Sequence, residues 1–559
     1  MKTPTPESKF EVGGIRFKVT SFDDRTVAVA YKKYKNSVVI PSTVDYNGTT
    51  YSVTSICDEA FYKREELTSI VIPDSVTKIG NWAFCKCNGL TSIEIPDSVT
   101  EIGDWAFHRC SGLTSIEIPN SVTKIGNWAF DGCSRLTNIE IPNSVTKIGY
   151  GVFVNCHWLN EVIIADGTEP LVLRAIFHNC PLEKLYLGRI LKINIQEPSP
   201  FYGTTLREVT IGNSVTSIEK NVFFRCSGLT SIEIPDSVTE IGENAFAGCT
   251  GLTRIVIPYS VTKIGQRAFS GCSALTSIVI PNNVSSIGGE AFADCSRLNS
   301  IKVESENRKF DSRDNCNAII KTENNTLIVG CQNTKIPSSV ISIGYNAFYM
   351  CRELTCIEIP NSVTTIKGLA FAWCRELTSI VIPDSVTEIG ADAFRECSGL
   401  KSIEIPDSVT SIGERVFADC SRLNSIKVES GNRKYDSRDN CNAIIETETN
   451  TLIAGCQNTV IPKSVTSIEN FAFSGCKGLT NIEIPDSVTE IGDGAFYKCR
   501  ALNSIISHIP ADKLFSTGWS VFEDTVKKNC TLYVPKGAKD VYAKTDGWRD
   551  FENIVELKD

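Results

Sequence analysis

Apolar residues recur along this 559-residue chain in a fixed order. In the stretch "LTSIEIPDSVTEIGDWAFHRC" they fall at Leu90, Ile93, Ile95, Val99, Ile102, Ala106, Phe107 and Cys110, with Pro96 and Gly103 as punctuation. With Leu90 as position 1, the apolar skeleton occupies positions 1, 4, 6, 10, 13, 17, 18 and 21. A Leu at position 1 stands at 67, 90, 113, 136, 159 and 182, then at 206, 229, 252, 275 and 298, then at 354, 377, 400, 423, 479 and 502. That makes 17 copies, most of them 23 residues apart.

Within a copy, Ile93 and Ile95 alternate with polar residues, which predicts a short strand with one face in and one out. Pro96 ends it, "DSV" is turn chemistry, and "VTEIG" predicts a second short extended piece closed by Gly103. "DWAFHRC" predicts about one helical turn. One copy carries too few large apolar side chains to offset the entropy of ordering its backbone, so the copies must stack and share a core. The expectation is an α/β repeat solenoid: each copy is one coil, and both ends need lids.

The wording of the repeat resembles the BspA-like branch of the leucine-rich repeat family, from about residue 37 to the C-terminus. The resemblance implies a curved superhelix of 23-residue coils, with a parallel sheet on the concave face and short second strands and helical turns elsewhere. The chain departs from the commoner leucine-rich consensus at Val99, position 10, and at Ser98, which stands at position 9 in place of Asn. That departure puts a continuous asparagine ladder in question.

The copies starting at Leu298 and Leu423 are each 33 residues longer than the 23-residue copies and contain "FDSRDNCNAIIKTENNTLIVGC" and "YDSRDNCNAIIETETNTLIAGC". They read as β-hairpin inserts near 304–335 and 429–460 that leave the coil and return to it. Residues 159–205 keep the length of two coils but lose Ile-Pro and Val-x-x-Ile, which reads as a bend or exposed bulge. Residues 1–55 form an N-terminal β cap with a hairpin at "YNGTT", and 56–500 form the solenoid. Residues 501–559 form the final coil, a strand and a Pro-started helix whose Val541, Tyr542, Trp548 and Phe551 cover the last coil.

Charge and composition narrow the function. Net charge is −9, and no dense basic cluster is interleaved with aromatics, so nucleic acid is not expected as a partner. No apolar run reaches the length of a membrane span, and "MKTPTPESKF" lacks the apolar core of a secretory leader. Either the chain is cytoplasmic or a leader has been removed. No phosphate-cradling loop or metal-spaced set of His and Cys appears, so neither cofactor nor metal is expected. The acidic "DSRDN" lacks the alternate ligands and Gly of a calcium loop.

Most of the 23 cysteines fall at position 21, one per coil from Cys87 through Cys110 and Cys133 onward. They read as an interior column of small apolar thiols weakly hydrogen-bonded to the backbone, although vertical disulfides stay open. Position 19 places Cys85, His108 and Asp131 in successive coils, a nucleophile, base and orienter in order. Other coils put Tyr62, Val154, Ala247, Ser270 and Arg395 there, as at an unconstrained surface site. No oxyanion loop accompanies the three, so no enzyme is expected; a hydrolase stays as a remote alternative.

Binding is then the province of the outward letters. Glu94, Glu117 and Glu140 stack at position 5, a like-charge column that a basic partner or the neighbouring Lys124 and Lys147 would offset. Trp82, Trp105 and Trp128 stack at position 16, either as an exposed aromatic strip or packed on one another beside Phe84, Phe107 and Phe130. The family resemblance implies a cell-surface or secreted bacterial protein that adheres to host matrix proteins such as fibronectin and fibrinogen, or to other cells. The expected function is a non-catalytic scaffold with a protein or glycan partner; the alternative is a self-assembling structural surface protein.

Overall fold

The structure, a computed structural model, describes residues 8–193, 199–523 and 529–558. They fall into two compact units, one within Met1–Leu275 and Ser286–Ala291, the other within Thr276–Ser285 and Phe292–Asp559. Each is a stack of 23-residue coils carrying parallel strands and almost no helix, and the coils are joined by three ladders of hydrogen bonds.

The first ladder uses positions 3–6. In the first unit the strands Asn138–Ile141, Glu161–Ile164, Lys184–Leu187, Glu208–Ile211, Ser231–Glu233 and Arg254–Val256 pair in parallel. In the second unit Ser402–Ile405 pairs with Ser425–Val428, and Asn481–Ile484 with Ser504–Ser507. The second ladder uses positions 12–13, as in Lys78–Ile79, Glu101–Ile102, Lys124–Ile125 and Lys147–Ile148. In both, the N–H of a later coil reaches back, as Gly103 N does to Ile79 O at 2.9 Å.

The third ladder runs the other way. Trp105 N donates to Asn127 O at 2.8 Å, Phe107 N to Ala129 O at 2.8 Å and Arg109 N to Asp131 O at 2.7 Å, each one coil ahead. This is the segment expected to hold a helical turn. Instead Trp105 and Arg109 take left-handed backbone, φ 54° and 56°, and consecutive tight turns replace the helix, since a left-handed residue cannot propagate one. The backbone N–H groups it frees point along the stack.

Close coil approach depends on Gly103. A Cβ there would stand 2.6 Å from the Gly80 carbonyl carbon and 2.7 Å from Asn81 N. Beside it, Asx side chains form a rail at position 15: Asn81 N donates to Asp58 Oδ1, Asp104 N to Asn81 Oδ1 and Asn127 N to Asp104 Oδ1, at 2.7, 2.8 and 2.7 Å.

The inward letters fill the core. The position-18 rings stack from Phe61 to Phe269 in the first unit, with centroids 5.0 to 6.0 Å apart. Phe348 to Phe417, and Phe473 to Phe522, do the same in the second.

Each insert adds three antiparallel strands: Phe310–Asp311, Ile319–Lys321 and Thr326–Val329, then Tyr435–Asp436, Ala443–Glu446 and Thr451–Gly455. The expected hairpin is present in both, Ile319–Lys321 with Thr326–Val329 and Ala443–Glu446 with Thr451–Gly455, but it stays on the stack instead of leaving it. Their last strands pair in parallel with Ser342–Ile343 and Ser467–Ile468 and so carry the second ladder. Through 159–193 and 199–205 the first ladder runs on, Glu161 opposite Lys184 opposite Glu208. What changes there is the second ladder, replaced by a separate pair, Leu171–Leu173 with Leu191–Ile193.

At the ends, Lys9–Val12, Ile15–Ser21 and Thr26–Val29 form an antiparallel meander that joins Thr49–Ile56. The last strands, Thr531–Val534 and Asn553–Glu556, flank a helix of only four residues, Lys539–Tyr542. Tyr542, Trp548 and Phe551 are buried, whereas Val541, expected among them, is 39% exposed.

Candidate functional site

Because positions 1, 4, 6, 10, 13, 17, 18 and 21 are spent on the core, chemistry has to come from the remaining letters. The interior thiols are engaged: Cys110 Sγ donates to Phe84 O at 3.0 Å and Cys133 Sγ to Phe107 O at 3.2 Å, a pattern continued by Cys374 on Phe348 and Cys397 on Phe371. All 23 cysteines are free. Among the described residues no group of three or more His, Cys, Asp or Glu could hold a metal ion.

The position-19 residues do approach one another in part. His108 Nδ1 lies 3.0 Å from Asp131 Oδ2, but without the alignment of a hydrogen bond. Cys85 is buried, and burial pushes its thiol up to about 11, the opposite of an activated nucleophile.

Glu94, Glu117 and Glu140 are exposed. Glu140 sits in the strand Asn138–Ile141 and faces Ile163 of the next coil, where the acidic run stops. Lys124 and Lys147 do not offset this column. They lie on the second ladder in register with Glu101, whose carboxyl is held below its usual range by a hydrogen bond from Lys78, with the charges of Lys124 and Lys147 adding to it.

Trp82, Trp105 and Trp128 form one stack. Their centroids are 4.8 and 4.9 Å apart with planes within 2° and 14°, and Tyr150 meets Trp128 edge-on at 5.3 Å. Trp82 is 36% exposed and the other two are half-buried. Rings this close cover each other's faces, so the strip offers edges to solvent. Gly151 makes room for it: a Cβ there would stand 2.6 Å from Trp128 Nε1.

Of the open cavities that flank the coils, two have mainly polar linings. One of about 970 Å³ lies beside the second insert; Arg438 binds Asp436 there at 2.7 Å and Lys427 pairs with Glu404, while Asp407 and Glu429 leave its lining acidic. The other, of about 550 Å³, is lined by Lys86, Arg109, Asn88, Ser111, Ser134 and His157 together with Glu65 and Asp131. The reading of the sequence passed over it. Its signal was the run Lys63, Lys86, Arg109 at position 20.

Among the described residues no helix is long and apolar enough to cross a membrane. Similarities to known proteins fit the repeat. The model of the BspA type leucine rich repeat region matches residues 54–185, 194–319, 328–443 and 451–539. None of the curated proteins matches the chain. Among solved structures, a leucine-rich repeat protein from Bacteroides ovatus is 29% identical, over 72% of this chain and 99% of that one, with a TM-score of 0.49. A leucine rich cell surface protein from Faecalibacterium prausnitzii is 24% identical over 92% and 97%, TM-score 0.30. The pneumococcal vaccine antigen PcpA is 16% identical over the full length of both, TM-score 0.28. With the family model covering most of its length, the chain belongs to the BspA-type leucine-rich repeat family, whose repeats build a non-enzymatic scaffold for protein interaction.

Proposed function

We propose that this chain is a non-catalytic adhesin-like scaffold, exported to the bacterial cell surface or beyond, that binds macromolecules of a host or neighbouring cell. The observation that supports this most is the Trp82–Trp105–Trp128 stack, which keeps apolar area at the surface where other coils place Asn244, Arg267 or Asp392. The exposed Glu94, Glu117 and Glu140 column adds an acidic surface suited to a basic partner.

Adhesion to immobilised fibronectin and fibrinogen tests the reading. Replacing all three Trp by Ser should weaken adhesion about tenfold or more while leaving the coils folded. Lost stability with unchanged adhesion would assign the indoles to packing and remove the strip as a contact. A second reading has one observation in its favour: Asn553–Glu556 ends its sheet as an edge strand, with Val555 38% exposed. Self-assembly through such edges predicts concentration-dependent light scattering; a strict monomer opposes it.

A further inference from the structure

Lys63, Lys86 and Arg109 occupy position 20 of three successive coils, all with left-handed backbone, φ 58°, 62° and 56°. Lys63 and Arg109 are exposed and Lys86 is half-buried. The third ladder holds them in line one coil apart, Lys63 N donating to Cys85 O and Lys86 N to His108 O, both at 2.8 Å. Elsewhere stacked charges are neutralised between coils, as in Lys78–Glu101 at 3.0 Å, Lys220–Glu243 at 2.9 Å and Lys263–Glu240 at 2.6 Å. Among the described residues none of these three cations forms an ion pair. Three like charges one coil apart repel; of the carboxylates near them, Asp131 accepts from Asn155 Nδ2 at 3.0 Å, and neither it nor Glu65 or Glu59 forms an ion pair with the three.

The groove beside this column is floored by amides and hydroxyls, Asn88, Ser111 and Ser134. Its lining holds no Phe, Tyr, Trp, Leu, Ile or Val to anchor a protein contact. Hydroxyl and amide groups instead match the alternating donors and acceptors of sugar rings.

We infer that the Lys63–Lys86–Arg109 column and its groove dock a linear acidic glycan, a polysaccharide chain bearing sulfate or carboxylate groups that lies along the stacking direction. Successive coils repeat every ~5 Å, so an extended polyanion meets all three cations at once. This site is separate from the Trp stack, and its test can fail without touching the adhesin reading.

Titration calorimetry of the full chain at two salt concentrations tests it, with a dextran sulfate oligosaccharide, a hyaluronate oligosaccharide and neutral dextran of equal length as probes. The variant is Lys63→Asn, Lys86→Asn, Arg109→Asn, because Asn155 and Asn179 hold the same left-handed place, φ 58° and 61°, in later coils. Expected are binding of dextran sulfate or hyaluronate but not neutral dextran, affinity falling about tenfold or more in the variant, and a flatter salt dependence. Which probe binds decides whether sulfate or carboxylate is read. The Trp82→Ser, Trp105→Ser, Trp128→Ser chain should bind these probes unchanged. No binding by the wild type, full affinity in the Asn variant, or equal affinity for polyglutamate or a single-stranded polynucleotide overturns the proposal.

Discussion

Ser98 Oγ donates a hydrogen bond to the backbone carbonyl of Val76, 2.6 Å away and one coil earlier. The same bond joins Ser121 to Val99, Ser237 to Val215, Ser260 to Val238 and Ser385 to Val363 at 2.6–2.7 Å. A hydroxyl ladder at position 9 thus satisfies carbonyls that have no strand partner, where an asparagine ladder was in question. Asn307 and Asn432 do this work only at the inserts. Each binds the position-7 and position-10 carbonyls of the preceding coil, Pro281 and Val284 or Pro406 and Val409, at 2.8–2.9 Å.

Ser98→Ala should therefore cost about 1–2 kcal/mol, because it orphans a carbonyl rather than removing a pair. The measurement is the urea midpoint. Adding Ser237→Ala, six coils away, should roughly double the loss if the rungs act independently.

Gly103→Ala should cost about 1–3 kcal/mol, since its new Cβ would press on the backbone of Gly80 and Asn81. Gly289→Ala is the control: a Cβ there meets nothing within 4 Å. It should be neutral or stabilising by up to about 1 kcal/mol. Equal losses at both sites would show that coil spacing does not set the requirement for Gly.

Burial pushes the thiols of Cys87, Cys133, Cys249 and Cys499 up to about 12 from an ordinary 9.0. An acid whose folded pKa is raised keeps its proton in the native state while the unfolded chain gives it up. Stability is thus intact below pH 9 and falls as pH rises from 9 to 12. The urea midpoint should drop across that window, less steeply in Cys133→Ala, Cys249→Ala. At pH 8 a thiol reagent should react quickly with Cys356, the exposed thiol, slowly with the half-buried Cys57 and Cys351, and with all 23 only in denaturant.

The interior was legible because each inward letter recurs in nearly every coil: Phe107 and Cys110 announce their columns by repetition alone. The turn was less so. Left-handed backbone at Trp105 and Arg109 does not follow from Trp or Arg, residues that disfavour it. Only the glycines and asparagines at the same places, Gly151, Asn244, Gly132 and Asn155, marked it. The pairing of surface charges was hidden for another reason: Lys124 lies beside Glu101 and not beside Glu117 because it sits on a different ladder. Sequence spacing alone does not separate the ladders.

Arg189 shows what a missing rung requires. The coil after Val145 has Gly167 at position 9, with no hydroxyl to offer. Arg189, 1% exposed, reaches past it from the following coil and donates to Pro142 O at 2.9 Å, Val145 O at 3.0 Å and Asn143 O at 3.1 Å. Burial lowers its pKa, yet a guanidinium keeps its charge at neutral pH. Pro142 and Val145 supply the position-7 and position-10 carbonyls that Asn307 holds at the first insert, so one long cation stands in for a rung where the repeat loses its wording. Arg189→Ala should cost about 3–5 kcal/mol, having stranded two buried acceptors and a half-buried third. Arg189→Lys should recover only part of that, since a single ammonium lacks the fork that spans them. Hydrogen exchange supplies the local check: amides of 171–173 and 191–193 should lose protection first in Arg189→Ala, while those of 101–102 and 124–125 keep theirs. Uniform loss across these strands would mean that Arg189 serves the global core and not the broken rung.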